Sequence, residues 1–267
     1  MHIVSFFGIA SRVILCVLCV VFTACKRDKP FSWVNPPADS IAGLQHHIVP
    51  SQFEKADVGV SILLPANYAQ NPQKQYSVIY YLHGSGGNES SEIEAIQQFV
   101  KRSLKNTHQM PIIVFPNGGR SGYFGPTENR IIQELIPYIE SNFRTSNLRE
   151  GRLLLGFSMG GTASMRLALK YPDTFTGAVS LGGRLWSKDG SLSLAITENA
   201  QQLKALGTRL LFIQGEKDGP DQFQGIVSQT ANAGISVKTH VLPNTSHNLD
   251  AYLEQSVPYL ASYLQDF

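Results

Sequence analysis

A serine flanked by glycines is the residue of this sequence whose type and spacing point most directly to chemistry. It lies in Gly156-Phe157-Ser158-Met159-Gly160-Gly161, a G-x-S-x-G pattern with one further glycine. The pattern directly follows a buried-strand sequence and directly precedes a helical one, which is the strand–turn–helix context of a nucleophilic serine. At so sharp a turn, a side chain at position 156 or 160 would collide with neighbouring chain. A chance match is the alternative for so short a pattern, and the context favours a nucleophile.

A nucleophilic serine needs an acid and a base, which in this context follow it in that order along the chain. Two histidines follow the serine. His240 lies inside a predicted strand, whereas His247 lies in the loop after that strand, so we predict His247 as the base. Asp218, Glu216 and Asp221 are the acids available. Because Asp221 also suits the cap of the next helix and Glu216 suits a turn, the pattern alone leaves the acid open.

A second glycine-rich loop, Leu82-His83-Gly84-Ser85-Gly86-Gly87, follows the third predicted strand. Backbone N–H groups of such a loop can bind the oxyanion that forms when a serine attacks an ester, and so can amides at the start of the helix after Ser158. A phosphate cradle is the alternative, but the sequence contains neither G-x-x-x-x-G-K-[ST] nor G-x-G-x-x-G. We expect His83 to hold this loop and not to act as a second base.

Strands and helices alternate along the chain from about residue 46. The predicted strands are 47–50, 58–64, 76–82, 112–115, 152–155, 177–181, 209–213 and 237–242, and the predicted helices are 91–106, 127–142, 162–170, 221–233 and 249–264. This alternation predicts an α/β fold with a mainly parallel central sheet, antiparallel first strands and helices on both faces. A closed barrel is the alternative, and the antiparallel opening favours an open sheet. The chemical residues then lie at the carboxyl ends of the strands, where open parallel sheets bind ligands.

The composition excludes some classes of partner. The 267 residues are 43% hydrophobic and carry a formal net charge of +2, with no long run of one sign. No electrostatic feature therefore indicates a nucleic acid or another polyanion as partner. The length suits one α/β domain with a substantial core.

The N-terminus predicts export. Residues 13–24 form a largely apolar run that is too short to cross a bilayer core, which needs about 20 residues, but that suits a signal peptide. The run ends in Phe22-Thr23-Ala24-Cys25, which resembles a bacterial lipobox. The three cysteines, Cys16, Cys19 and Cys25, all lie in or at the end of this leader, so no disulfide framework is predicted.

This leader gives a domain organisation and a location. We predict a membrane-anchored lipoprotein on the extracytoplasmic side, attached through a lipid on Cys25. An uncleaved anchor formed by residues 3–24 is the alternative. The predicted segments are a signal peptide at 1–24, a tether at 25–43 and a folded domain at 44–267.

Several blocks in combination make the chain resemble the esterase D-type branch of the α/β-hydrolases. This branch includes feruloyl and acetyl-xylan esterases, S-formylglutathione hydrolases and mycolyltransferases. The resemblance runs from about residue 58 to residue 264 and rests on Tyr81-Leu82-His83-Gly84, Val114-Phe115-Pro116-Asn117-Gly118-Gly119, Glu134-Leu135-Ile136-Pro137-Tyr138-Ile139-Glu140, the serine motif, Gly215-Glu216-Lys217-Asp218 and Ser246-His247.

The resemblance implies the α/β-hydrolase fold and favours Asp218 as the acid. It also implies that the backbone N–H groups of Ser85 and Met159 form the oxyanion hole, and that the protein uses no metal and no organic cofactor. It places a substrate-binding loop at residues 183–200, a segment that matches no particular subgroup.

Three aromatic residues are predicted as walls of the substrate pocket. They are Tyr123, Phe124 and Trp186. Ordinary packing is the alternative for each, because aromatic side chains are core residues as often as ligand contacts.

Together these residues predict a serine carboxylic ester hydrolase that works through an acyl-enzyme. The expected substrate is a small-molecule or carbohydrate-linked ester. One alternative is acyl transfer to an alcohol or sugar acceptor. The other is a non-catalytic lipoprotein that binds a carbohydrate or peptide with a hydrolase fold, since a fold alone does not guarantee an activity.

Overall fold

The computed structural model describes residues 31–104, 109–184, 190–219 and 223–267. Eight strands form one sheet in the order β1-β2-β4-β3-β5-β6-β7-β8. The β1–β2 and β2–β4 pairs are antiparallel and the other pairs are parallel. The predicted α/β class is confirmed. The strands are β1 Leu44–Ser51, β2 Ala56–Leu63, β3 Val78–Leu82, β4 Ile112–Pro116, β5 Arg152–Phe157, β6 Gly177–Leu181, β7 Arg209–Gly215 and β8 Ser236–Leu242.

Helices cover both faces of this sheet. They are α1 Ile93–Leu104, α2 Pro126–Arg130, α3 Ile136–Asn142, α4 Met159–Lys170, α5 Ser191–Ala205, α6 Gln224–Asn232, α7 Leu249–Gln255 and α8 Val257–Tyr263. Alternate residues of β3 belong to two separate cores: Tyr80 packs with residues of α4 and α5, and Tyr81 packs with residues of α1 and α8. A strand buried on both faces reads as a continuous apolar run, as predicted for this one.

Two predicted helices are interrupted where a proline follows. The helix predicted at 127–142 contains a π-helical turn at Ile131–Leu135, in which the N–H of Ile136 bonds to the carbonyl of Ile131. The helix predicted at 249–264 is divided at Ser256 into α7 and α8. The prolines are Pro137 and Pro258, and proline lacks the N–H that a continuous helix needs. The prediction of two unbroken helices was wrong for this reason.

The segment predicted as a substrate loop at 183–200 is largely helical. Helix α5 begins at Ser191 and buries Leu192, Ala195, Ile196 and Leu203, and it packs beside α4 and α6. That spacing is the apolar stripe of an amphipathic helix, so the signal was present in the sequence. Residues 185–189 lie outside the described residues.

Part of the segment predicted as a tether packs on the folded domain. The carbonyl of Trp33 accepts a hydrogen bond from the N–H of Gly59 over 2.8 Å, and the carbonyl of Gly43 accepts from Leu64 over 2.9 Å. Residues 32–267 form one compact unit, so residues 32–43 belong to the same unit as the predicted domain. The prolines and polar residues of this segment resemble a linker, but its backbone groups have partners on distant strands.

The predicted leader, with Cys25, lies outside the described residues. Among residues 31–104, 109–184, 190–219 and 223–267, no helix combines the length and the apolar character needed to cross a bilayer. The lipid anchor and the cleavage site stay predictions.

Candidate active site

Ser158 occupies the sharp turn between β5 and α4. Its φ of 54° and ψ of −117° form a conformation that residues with side chains rarely adopt. A Cβ on Gly156 would lie 2.3 Å from the carbonyl carbon of Gly160, and a Cβ on Gly160 would lie 1.8 Å from the carbonyl oxygen of Leu82. The collisions predicted at positions 156 and 160 are confirmed.

Hydrogen bonds join the Ser158 side chain to two other side chains. Nε2 of His247 lies 2.8 Å from Oγ of Ser158, and Nδ1 of His247 lies 2.6 Å from Oδ2 of Asp218. Because an ionised carboxylate only accepts hydrogen bonds, Nδ1 carries the proton and Nε2 accepts from the serine hydroxyl. The structure thus brings together the three residues that the sequence singled out, in an order that lets the imidazole take the serine proton.

Tyr252, which the sequence analysis missed, holds the Asp218 carboxylate. Its hydroxyl accepts from the N–H of Gly215 over 2.6 Å and donates its one hydrogen to Oδ2 of Asp218 over 2.7 Å. Burial of the ring, followed by the bond to Asp218, raises the pKa of Tyr252, so the hydroxyl keeps its proton at neutral pH. No local signal in the sequence marks this residue. The helical pattern of α7 predicts that Tyr252 lies on the apolar face, but it does not predict which distant group the hydroxyl contacts.

The His247 ring is positioned by a stack and by its loop. It lies against the Phe157 ring with the centroids 4.9 Å apart. The N–H of Lys217 donates to the carbonyl of Thr245 over 2.9 Å, which joins the loop of the acid to the loop of the base. The His247 side chain is 36% exposed, so solvent reaches this side of the site.

The alternative candidates for the acid and the base make contacts elsewhere. Oε2 of Glu216 accepts from the N–H of Asn244 over 2.7 Å, which fits the turn role considered for it. His240 stacks on Tyr259 with the ring centroids 3.7 Å apart, as part of β8. Asp221 lies outside the described residues.

The glycine-rich loop after β3 lies beside the serine. A Cβ on Gly84 would lie 3.5 Å from Cβ of Ser158, which places the next residue, Ser85, at the edge of the site. His83 holds this loop, as expected: Nδ1 donates to the carbonyl of Gly84 over 2.8 Å, and Nε2 accepts from the N–H of Gly118 over 2.9 Å. Burial lowers the pKa of His83, which favours the neutral ring that these two bonds require.

Met159 follows the serine directly and begins helix α4. The first N–H groups of a helix have no acceptor within it and carry partial positive charge. Ser85 in the adjacent loop and Met159 next along the chain are therefore both placed to offer amides to an oxyanion. Within the described part of the chain, no group of three or more His, Cys, Asp or Glu side chains is arranged to hold a metal ion.

The predicted pocket walls have different positions. Tyr123 is fully buried, and its hydroxyl donates to the carbonyl of His83 over 3.3 Å. It supports the glycine-rich loop, which is the packing role considered as the alternative for this residue. Phe124 is 37% exposed, lies 3.9 Å from the Arg166 guanidinium and lines a cavity of about 500 Å³. Trp186 lies outside the described residues.

Known proteins resemble this chain over its folded part. An esterase of Mycobacterium tuberculosis is 37% identical over 136 residues, which cover 47% of this chain and 29% of that protein. An endo-1,4-β-xylanase/feruloyl esterase of Xylanibacter ruminicola is 27% identical over 203 residues, which cover 70% of this chain and 26% of that protein. The chain spans less than a third of the length of these two relatives.

A solved structure and a family model extend these matches. The structure of a ferulic acid esterase superposes with a TM-score of 0.69 at 22% identity, over 84% of this chain and 98% of that one. At this identity the likeness shows the fold, which is the α/β-hydrolase fold. The family model described as "Putative esterase" matches residues 51–247, a range that contains Ser158, Asp218 and His247. Because this match covers most of the chain, the chain belongs to that esterase family.

Proposed function

We propose that the chain is a serine carboxylic ester hydrolase with Ser158 as nucleophile, His247 as base and Asp218 as acid. One observation carries the proposal: the unbroken series of hydrogen bonds from Oγ of Ser158 through His247 to Asp218, at 2.8 and 2.6 Å. Membership of an esterase family supports it.

The first step makes an acyl-enzyme. Nε2 of His247 takes the proton of Ser158 while Oγ attacks the ester carbonyl. The negative oxygen is bound by the amides of Ser85 and Met159. The imidazolium is stabilised by Asp218, and it then gives its proton to the alcohol as the alcohol leaves.

The second step releases the acid. Water enters at the exposed side of His247, and Nε2 of His247 removes a proton from this water as its oxygen attacks the acyl carbonyl. The bond between Oγ of Ser158 and the acyl carbon then breaks, and the imidazolium returns its proton to Oγ as the acid leaves. The 36% exposure of the His247 side chain supports water as the acceptor. The strained φ of 54° at Ser158 argues against a purely binding role, because such strain concentrates at sites that use it.

The substrate is proposed to be a small-molecule or carbohydrate-linked ester. Two of the similar proteins are described as ferulic acid or feruloyl esterases. A hydroxycinnamoyl group is therefore one candidate for the acyl part of the substrate. A general acyl ester such as 4-nitrophenyl acetate is the appropriate first substrate, because it tests the chemistry without assuming that specificity.

A fluorophosphonate probe tests the proposed chemistry. We expect the full chain to be labelled on Ser158, as located by peptide mass mapping, because the probe reacts with an activated serine. Labelling is expected to be lost in His247→Ala and kept in His240→Ala, the matched histidine on β8. Absence of labelling, under conditions in which a known serine esterase reacts, would contradict the proposal.

We further propose that Cys25 carries a lipid that holds the protein at the extracytoplasmic face of a membrane. In a bacterial host, the full chain is expected in the membrane fraction, and Cys25→Ala is expected to lose this attachment, because buried acyl chains contribute about 0.8 kcal/mol per CH₂. Cys16→Ala and Cys19→Ala are the controls. A Cys25→Ala chain that stays in the membrane fraction to the same extent would indicate an uncleaved anchor instead.

A further inference from the structure

A buried carboxylate lies beside the glycine-rich loop and takes no part in the proposed chemistry. Glu89 is completely buried and follows residues 84–87 closely in the chain. A buried charge requires hydrogen-bond donors around it. One donor is Nδ2 of Asn117, at 2.7 Å, and His46 Nε2 lies 3.4 Å away.

The other donors come from residues 32–35, which lie outside the part of the chain matched by the family model. The backbone N–H of Asn35 donates to Oε1 of Glu89, and Nδ2 of Asn35 donates to Oε2 over 3.2 Å. Oγ of Ser90, the residue after Glu89, donates to the carbonyl of Asn35. Asn35 is therefore hydrogen-bonded to both Glu89 and Ser90, which follow the glycine-rich loop in the chain.

The same segment also contacts the loop after β4. Nδ2 of Asn117 lies 3.3 Å from the carbonyl of Ser32 and 3.2 Å from that of Trp33. The Trp33 ring covers Gly119, where a Cβ would lie 2.6 Å from the ring. Asn117 in turn accepts from the N–H of Gly119 over 2.9 Å through its Oδ1.

Two hydrogen bonds connect the loop after β4 to the glycine-rich loop that contains Ser85. Gly118, between the two residues just described, donates its N–H to His83, and His83 donates to the carbonyl of Gly84. The N–H of Gly87 donates to that same carbonyl over 3.1 Å. The loop that carries the Ser85 amide is thus fixed from the β4 side through His83 and from its own far end through Glu89.

We propose that residues 32–35 are a positioning element of the active site, which hold Glu89 and Asn117 and thereby set the place of the Ser85 amide. This inference rests on the proposed function. An oxyanion forms only in the transition state, so a displaced amide lowers kcat and leaves KM little changed. A misplacement of this kind costs about ten- to hundredfold in rate.

Asn35→Asp tests this in the full chain. The substitution keeps the shape of the side chain but sets a second carboxylate against Glu89, which repels the segment. All variants carry Trp186→Phe, so that Trp33 is the sole tryptophan and its emission reports whether the segment is docked. Asn67→Asp makes the same change at an exposed turn and is the matched control. Asn35→Ala, which keeps the backbone donor to Glu89, provides a milder variant.

The reference is the chain that carries Trp186→Phe alone. Relative to it, we expect Asn35→Asp to shift the Trp33 emission to the red and to lower kcat for 4-nitrophenyl acetate by about ten- to hundredfold. The KM is expected to stay within about threefold of the reference value. Asn35→Ala is expected to shift the emission and lower kcat in the same direction but by less. Asn67→Asp is expected to change neither the emission nor kcat. A red shift with unchanged kcat, or unchanged emission in both Asn35 variants, would overturn the inference alone. A chain with Trp186 intact that shows neither turnover nor probe labelling on Ser158 would overturn the proposed function, and the inference with it.

Discussion

Ser158→Ala is expected to lower kcat for 4-nitrophenyl acetate by about 10⁴- to 10⁶-fold, because the acyl-enzyme has no other oxygen on which to form. The folded structure should be unaffected, since alanine removes one half-buried hydroxyl and leaves the backbone of the turn in place. The double variant Ser158→Ala/His247→Ala is expected to be no slower than Ser158→Ala, because residues that act as one unit have non-additive effects.

A matched serine separates this result from a general effect of removing hydroxyls. Ser141 lies on the exposed side of α3, where its Oγ donates to the carbonyl of Pro137 over 2.8 Å. Ser141→Ala is expected to keep full turnover. If Ser158→Ala also kept turnover, the nucleophile would lie elsewhere and the proposed mechanism would be wrong.

Asp218→Asn is expected to lower kcat by about 10³- to 10⁴-fold, measured with the same ester. The reason is the proton on His247. Oδ2 of Asp218 accepts from Nδ1 of His247 at 2.6 Å and from the hydroxyl of Tyr252 at 2.7 Å. A neutral amide no longer stabilises the imidazolium and no longer enforces the tautomer in which Nε2 accepts the serine proton.

Glu216→Gln is the control for Asp218→Asn, because it removes one negative charge from the same loop without touching the imidazole. Its turnover is expected within about twofold of the reference. Tyr252→Phe removes the hydroxyl that donates to Asp218, and its turnover is expected to lie between those of the other two variants, at about a tenfold loss. A larger loss in Glu216→Gln than in Asp218→Asn would assign the acid role to Glu216.

Local patterns in the sequence were sufficient to predict the nucleophile, the base and the order of strands and helices around them. The collisions that a side chain would cause at positions 156 and 160 involve atoms close in the chain or on the adjacent strand, so the glycines at these positions indicated the turn. The two apolar faces of β3 indicated a sheet covered on both sides. His247 could be separated from His240 because a strand and a loop differ in local periodicity.

Tertiary structure decided what depends on residues distant in the chain. The proposal of Asp218 as the acid in place of Glu216 could not be made from the loop sequence alone, and it rests on the 2.6 Å contact between Asp218 and His247. Tyr123 and Phe124 are neighbours in sequence, yet one is fully buried under a loop and the other is 37% exposed. Burial is a property of what packs on a residue, and local sequence does not contain that information.

The N-terminal segment shows the same limit most directly. Its prolines and polar residues predicted a tether, because composition reports how a segment behaves when it has no partners. Asn35 has a partner 54 residues away, the buried carboxylate of Glu89. The sequence by itself therefore determined the kinds of groups in the site and the α/β order that assembles them. The three-dimensional fold alone decided which distant backbone and side-chain groups satisfy one another, because hydrogen-bond partners are chosen by proximity in space.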